Sequence, residues 1–189
     1  MMTEKEKAAA GELYDANYDP QLLAERAACK ELCFDYNHLR PSDTEGRERL
    51  LRRLLGGTGR HFTVESPFLC DYGYNIRLGE NFYANVGLTI LDGAPVTFGD
   101  NVFIGPYCGF HTAGHPLDAG QRNRGLEYAR PITVGDNVWF GAQCCVLPGV
   151  TIGSGSVIGA GSVVTHDIPS GVLAAGNPCR VIRAIVPTE

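Results

Sequence analysis

The chain has 189 residues, enough for one large domain or two small ones, with 44% hydrophobic and 20% charged residues. A formal net charge of -5 argues against nucleic acid or an anionic membrane surface as its main partner. No apolar run approaches the roughly 20 residues of a membrane span. The opening Met-Met-Thr-Glu-Lys-Glu-Lys lacks the apolar core of a signal peptide, so a cytoplasmic protein is expected.

Residues 1–60 read as a helical segment. Thr3 to Tyr14 is charged and Ala-rich. Asp19-Pro20 pairs a helix N-cap with proline at the first helical position, and the helix it opens is expected to run to about His38. Leu23, Ala27, Ala28, Leu32 and Tyr36 would form its apolar face. Pro41 stops it, and Ser42-Asp-Thr-Glu45 reads as a capping box. The next helix carries Leu50, Leu51, Leu54 and Leu55 and ends at Gly56-Gly57. Helices this short need a surface to pack on, and a cap over a sheet edge supplies one. The seven cysteines are scattered, which suits reduced thiols. Cys29 and Cys33 share a helix face and Cys144 falls at an inward position, so these are read as packing residues.

Residues 61–185 follow a different rule. Bulky apolar residues stand at 134, 140, 146, 152, 158 and 164, and four of these six are followed by glycine. The same register runs upstream through Leu78, Ala84, Ile90, Phe98, Ile104 and Phe110, with a two-residue slip at Ala94-Pro95. Period six is neither a helix nor a plain strand. It fits short strands joined by tight bends, which is the pattern of a parallel β-helix. Three hexads make one triangular coil of 18 residues, which would stack Asn85, Gly105, Gly141 and Gly159 in a column, with Ala142 and Ala160 beside it. Such a column leaves a narrow groove along the axis, although tight corners alone also call for small residues.

Residues 111–130 interrupt the repeat with a polar stretch, His111-Thr-Ala-Gly114-His115-Pro116-Leu-Asp118 onward. Twenty-four residues separate Phe110 from Val134, so the register survives while about one coil is ejected as a loop. Long loops on rigid scaffolds carry function. Pro116 holds His115 extended, which makes His115 a candidate general base. An ordinary surface histidine is the competing reading, for His111 as well as His115.

Phe82-Tyr83-Ala84-Asn85, Gly114-His115-Pro116, Asn137-Val138-Trp139-Phe140-Gly141 and the ending Ala174-Ala175-Gly176-Asn177-Pro178-Cys179-Arg180-Val181-Ile182-Arg183 resemble the maltose and galactoside O-acetyltransferases. The opening Thr3-Glu4-Lys5-Glu6-Lys7 with Ala10-Gly11-Glu12-Leu13-Tyr14, and the stretch Cys70-Asp71-Tyr72-Gly73-Tyr74-Asn75-Ile76, lean towards the maltose branch. The resemblance implies a left-handed parallel β-helix, assembled as a homotrimer with sites between subunits. It implies acetyl-CoA as co-substrate, a sugar acceptor such as maltose or glucose, and no metal. His115 matches the family's base. Asn85, Asp71, Tyr83, Asp92 and Arg26 match or adjoin acceptor-binding positions. Gly141, Ala142, Ala160, Thr165, His166, Arg180 and Arg183 fall where the donor binds. Asp71 and Ala142 stand where some relatives have Ser, and Gly93 where some have Asp, which leaves the acceptor open. Galactosides, serine or xenobiotics remain alternatives. So do a γ-type carbonic anhydrase and a non-enzymatic scaffold on the same repeat.

Overall fold

Residues 2–186 are described by a computed structural model, and they form a parallel β-helix with a helical cap and one extruded hairpin. The chain winds over three faces in a fixed order. Face 1 stacks Phe62–Val64, Phe82–Ala84, Phe103–Ile104, Trp139–Phe140, Val157–Ile158 and Val172–Gly176. Face 2 stacks Phe68–Cys70, Leu88–Leu91, Gly109–His111, Cys145–Val146 and Val163–Val164. Face 3 stacks Ile76–Arg77, Val96–Phe98, Ile132–Val134 and Thr151–Ile152. Every neighbouring pair within these stacks is parallel. The last strand, Cys179–Ala184, turns back antiparallel on Val172–Gly176 and covers the end of face 1.

All twelve hexad positions are buried, from Leu78 at 6% exposed to Ala84, Ile90, Phe110, Phe140, Val146, Ile158 and Val164 at 0%. They share the core with a second inward set two residues earlier, including Val96, Val102, Cys108, Ile132, Val138, Cys144 and Val150. Phe82, Phe98, Phe110 and Phe140 interlock edge to face, with centroids 5.1, 4.9 and 5.2 Å apart along that series. The coil length differs from the 18 residues expected throughout. Trp139 pairs with Val157 at 18, but Thr63 pairs with Tyr83 and Tyr83 with Phe103 at 20. The extra two residues per early coil lie in wider corners, and the slip at Ala94-Pro95 is one of them. Phe103 pairs with Trp139, 36 residues on, because the loop leaves between those coils.

The bends before face 1 repeat a Gly-acid-Asn turn. Asn81, Asn101 and Asn137 take φ of 55°, 55° and 57°, a left-handed conformation that asparagine tolerates better than most residues. Their side chains bond in a ladder, Asn81 Nδ2 donating to Asn101 Oδ1 at 3.1 Å and Asn101 Nδ2 to Asn137 Oδ1 at 3.2 Å.

The cap differs from expectation in three places. The first helix, α1, is only Glu4–Ala9, closed by a Thr3–Glu6 capping box. The chain then extends, and Tyr14–Asp15 becomes a strand. Helix α2 spans Pro20–His38 as expected, but its buried face is Leu22, Cys29, Cys33 and Tyr36, whereas Leu23, Ala27 and Ala28 are exposed. The two cysteines, not the alanines, meet the first coil. Helix α3, Thr44–Leu54, is capped by Asp43, which accepts from Gly46 N–H at 2.9 Å; Ser42 is one residue too early.

Candidate functional site

The expected Gly/Ala column is built by backbone approach between coils at the corner joining faces 1 and 2. Asn85 N–H donates to Ile104 O, Gly105 N–H to Phe140 O, and Gly141 N–H to Ile158 O, at 2.9, 2.9 and 2.8 Å. A Cβ on Gly105 would sit 2.7 Å from Ala142 N, and one on Gly141 would sit 2.6 Å from Ala160 N. Both positions therefore exclude any side chain for reasons of stacking alone. Ala142 and Ala160 flank them one above the other, with Gly161 N–H donating to Ala142 O at 2.8 Å. Tyr83 lies on the outer side of face 1, its ring 6.4 Å from that of Phe103.

A second group forms at the opposite edge of face 2, where it meets face 3. Here Asp71 follows the first strand of face 2, Asp92 the second, and His111 ends the third. The loop that leaves at this point is more ordered than its composition suggests. Ala113–Gly114 and Leu126–Ala129 form a hairpin around a short helix, Ala119–Asn123, capped by Asp118. Tyr14–Asp15 adds a third strand, pairing Tyr14 with Glu127 and Asp15 with Leu126. The N-terminal segment thus fastens the loop as well as capping the coil.

His115 stands on this hairpin, its side chain 48% exposed. Its Nδ1 lies 3.2 Å from Leu126 O. A carbonyl can only accept, so that bond places the proton on Nδ1 and leaves the Nε2 lone pair free. Nε2 is 3.8 Å from Glu127 Oε1, beyond hydrogen-bond reach. Glu127 is 15% exposed, and burial raises its carboxyl pKa, partly offset by His115, Arg26 and a bond from Tyr14 OH at 3.3 Å. Neither Glu127 nor Tyr14 was foreseeable as part of this group. The run Leu126-Glu127-Tyr128-Ala129 hints at a strand, but a buried carboxylate beside the histidine follows only from the pairing.

Arg26 projects from α2 toward the same corner, donating to Ala16 O at 2.6 Å and Tyr72 OH at 3.3 Å. Asp71 is partly buried, which raises its pKa against the pull of Arg26. Burial lowers the pKa of His111 against the pull of Asp71, and among the described residues its enclosed Nδ1 has no partner. Asp92 is not where an acceptor could meet it. It is 0% exposed, and its Oδ1 accepts from Asp71 N–H at 3.0 Å and Tyr72 N–H at 2.9 Å. It holds the turn behind Asp71, which corrects its expected place among groups open to a ligand. Among the described residues its second oxygen has no partner, and burial pushes its pKa up to about 6.

A carboxyl pKa raised on folding means that the folded state binds the proton more tightly, so stability falls as pH rises through the window. For Asp92 that window runs from about pH 4, the ordinary aspartate value, to about pH 6. Asp92→Asn keeps an acceptor for the two N–H groups and removes the titration. Urea midpoints measured across the window are expected to flatten in the variant; a curve parallel to wild type would show that Asp92 is not the group responsible.

The remaining expected residues divide between the two edges. Thr165 and His166 follow the last strand of face 2, bonded to each other at 2.7 Å. Arg180 and Arg183 lie exposed on the returning strand, donating to the Cys179 and Ala184 carbonyls. Asn85 with the Gly/Ala column therefore sits at one edge of face 2, and His115, Asp71 and Arg26 at the other. The width of a face separates them within one chain.

Comparison with known proteins matches residues 7–59 to the maltose acetyltransferase hexapeptide capping motif and residues 131–166 to the hexapeptide repeat of succinyl-transferase. The chain is 47% identical over 184 residues to the galactoside O-acetyltransferase of Escherichia coli, covering 97% of this chain and 90% of that protein. A maltose O-acetyltransferase from Clostridium difficile superposes with a TM-score of 0.96 at 49% identity, covering 98% of this chain and 99% of the other. A galactoside acetyltransferase in complex with coenzyme A superposes with a TM-score of 0.95 at 46% identity, covering 98% and 92%.

Proposed function

We propose, from the premise that this chain belongs to the maltose and galactoside O-acetyltransferase family and uses acetyl-CoA as co-substrate, that it acetylates a hydroxyl of a sugar such as maltose or glucose, with His115 as general base. The observation that carries this reading is His115, with one ring nitrogen tied to Leu126 O and the other free above Glu127. A sugar hydroxyl is a weak nucleophile near neutral pH. Nε2 takes its proton as the oxygen attacks the thioester carbonyl. The Glu127 carboxyl group stands 3.8 Å from that nitrogen. The C–S bond then breaks, and the proton passes from the imidazolium to the departing CoA sulfur. The oxyanion needs a donor, and with no side-chain hydroxyl at Ala142 its backbone N–H is the candidate. Asp71, Arg26, Tyr83 and Asn85 supply hydrogen-bonding groups to the acceptor. Gly141, Ala142, Ala160, Thr165 and His166 line the donor path, and Arg180 and Arg183 meet the CoA phosphates.

The division of these residues between two edges of face 2 supports a homotrimer, in which one subunit's loop edge meets a neighbour's Gly/Ala corner. The native mass is expected to be about three times 20.4 kDa. A monomer with full activity would end the shared-site reading. Ala160→Trp should raise the KM for acetyl-CoA severalfold or more, because the indole would fill the groove beside Gly141, while the thermal midpoint changes little, since Ala160 points outward. Unchanged acetyl-CoA kinetics in a folded variant would remove that corner from the donor path.

A further inference from the structure

We propose that Cys29, Cys33 and Cys70 form a site for one thiophilic d10 metal ion, of the Zn(II) or Cd(II) class, bound by three thiolates. The three sulfurs all lie within 4.8 Å of one another. Cys29 Sγ is 3.5 Å from Cys70 Sγ, and Cys33 Sγ is 3.8 Å from it. With metal–sulfur bonds of about 2.3 Å, three sulfurs around one ion stand about 4.0 Å apart. Two of the three separations are thus within about half an ångström of the spacing a metal requires, and the third is no more than 4.8 Å.

Two elements converge to make it. Cys29 and Cys33 are one turn apart on the buried face of α2, and Cys70 ends the first strand of face 2. Packing requires only that these side chains be small and apolar. It does not require three sulfurs from two separate elements to meet at one point. A surface cleft whose lining includes Lys5, Glu25, Ala28, Arg53 and Tyr72 reaches Cys29. As each S–M bond forms the thiol proton leaves to solvent, so a divalent ion releases up to three protons and leaves a net charge of -1 on the site. Bound there, the ion would join α2, which carries Arg26, to the strand running into Asp71. It would then stiffen the loop-side corner without touching either group. The proposal rests on the sulfurs alone and stands apart from the acetyl-transfer reading.

The probe is Cd(II) titrated into the reduced, full-length protein in its native assembly. A thiolate-to-Cd(II) charge-transfer absorption saturating at one equivalent per chain is expected, with a rise in the thermal midpoint. Cys29→Ala and Cys33→Ala place a strong helix former in α2, so both variants should fold. Each should lose the one-equivalent saturation while keeping native circular dichroism. Cys145→Ser, on the fourth strand of face 2, should keep it. The proposal fails if wild type shows no saturation at one equivalent, or if the band survives in folded Cys29→Ala or Cys33→Ala.

Discussion

His115→Ala is expected to lower kcat by roughly 10²–10⁴-fold, the range for losing a positioned proton acceptor. The hairpin should stay intact in the variant. Its strands are held by backbone pairing of 113–114 with 128–129 and of 14–15 with 126–127, none of which uses the imidazole. CoA binding should also persist, because the donor path is built from other residues. The loss therefore belongs in kcat, with the dissociation constant for CoA measured by calorimetry near the wild-type value. His111→Ala provides the contrast. That ring ends a strand of face 2, half-buried near Asp71, and among the described residues no carbonyl orients its enclosed Nδ1. It should cost much less. A folded His115→Ala enzyme retaining more than about a tenth of kcat would defeat the assignment, since that lies above the stated range.

Phe110→Ala is expected to destabilise the protein by about 3–5 kcal/mol, read as a fall in the urea midpoint. The ring is fully buried, with Phe98 at 4.9 Å on one side and Phe140 at 5.2 Å on the other, both edge-on. Truncation removes the middle of that series. The backbone around it is pinned by hydrogen-bonded ladders on all three faces, so the coil has little freedom to collapse into the void. The cost should sit at the upper end of large-to-small substitutions for that reason. Phe110→Leu, which keeps most of the volume, should cost under about half as much. A Phe110→Ala loss below about 1 kcal/mol would mean that this stretch of the core repacks freely.

The amino-acid sequence by itself determined the coil interior. In a parallel β-helix a residue's facing depends on its place within the hexad, and that place is local. Hence all twelve hexad positions, Leu78 to Val164, are buried where period six puts them. The column of Asn85, Gly105, Gly141 and Gly159 was legible for the same reason, even though early coils advance by 20 residues. Corners absorb the extra residues without turning a strand over. Helix α2 was legible in extent but not in orientation. Its more continuous apolar stripe, Leu23, Ala27, Ala28 and Leu32, lost to Leu22, Cys29 and Cys33, because buried cysteine packs as a small apolar side chain.

Only the tertiary structure decided what surrounds His115. Tyr14 meets Glu127 across 113 residues of sequence, through a strand pairing that no fixed spacing announces. Glu127 becomes a buried carboxylate only once that strand and Arg26 close over it. Asp92 likewise reads as an available carboxylate in the sequence, yet it is enclosed, because its oxygen is taken by the N–H groups of the turn before it. Repeats reveal facing because each coil obeys one rule. The loop, the cap and the thiol trio depend on contacts between segments that follow different rules, and those exist only in the folded chain.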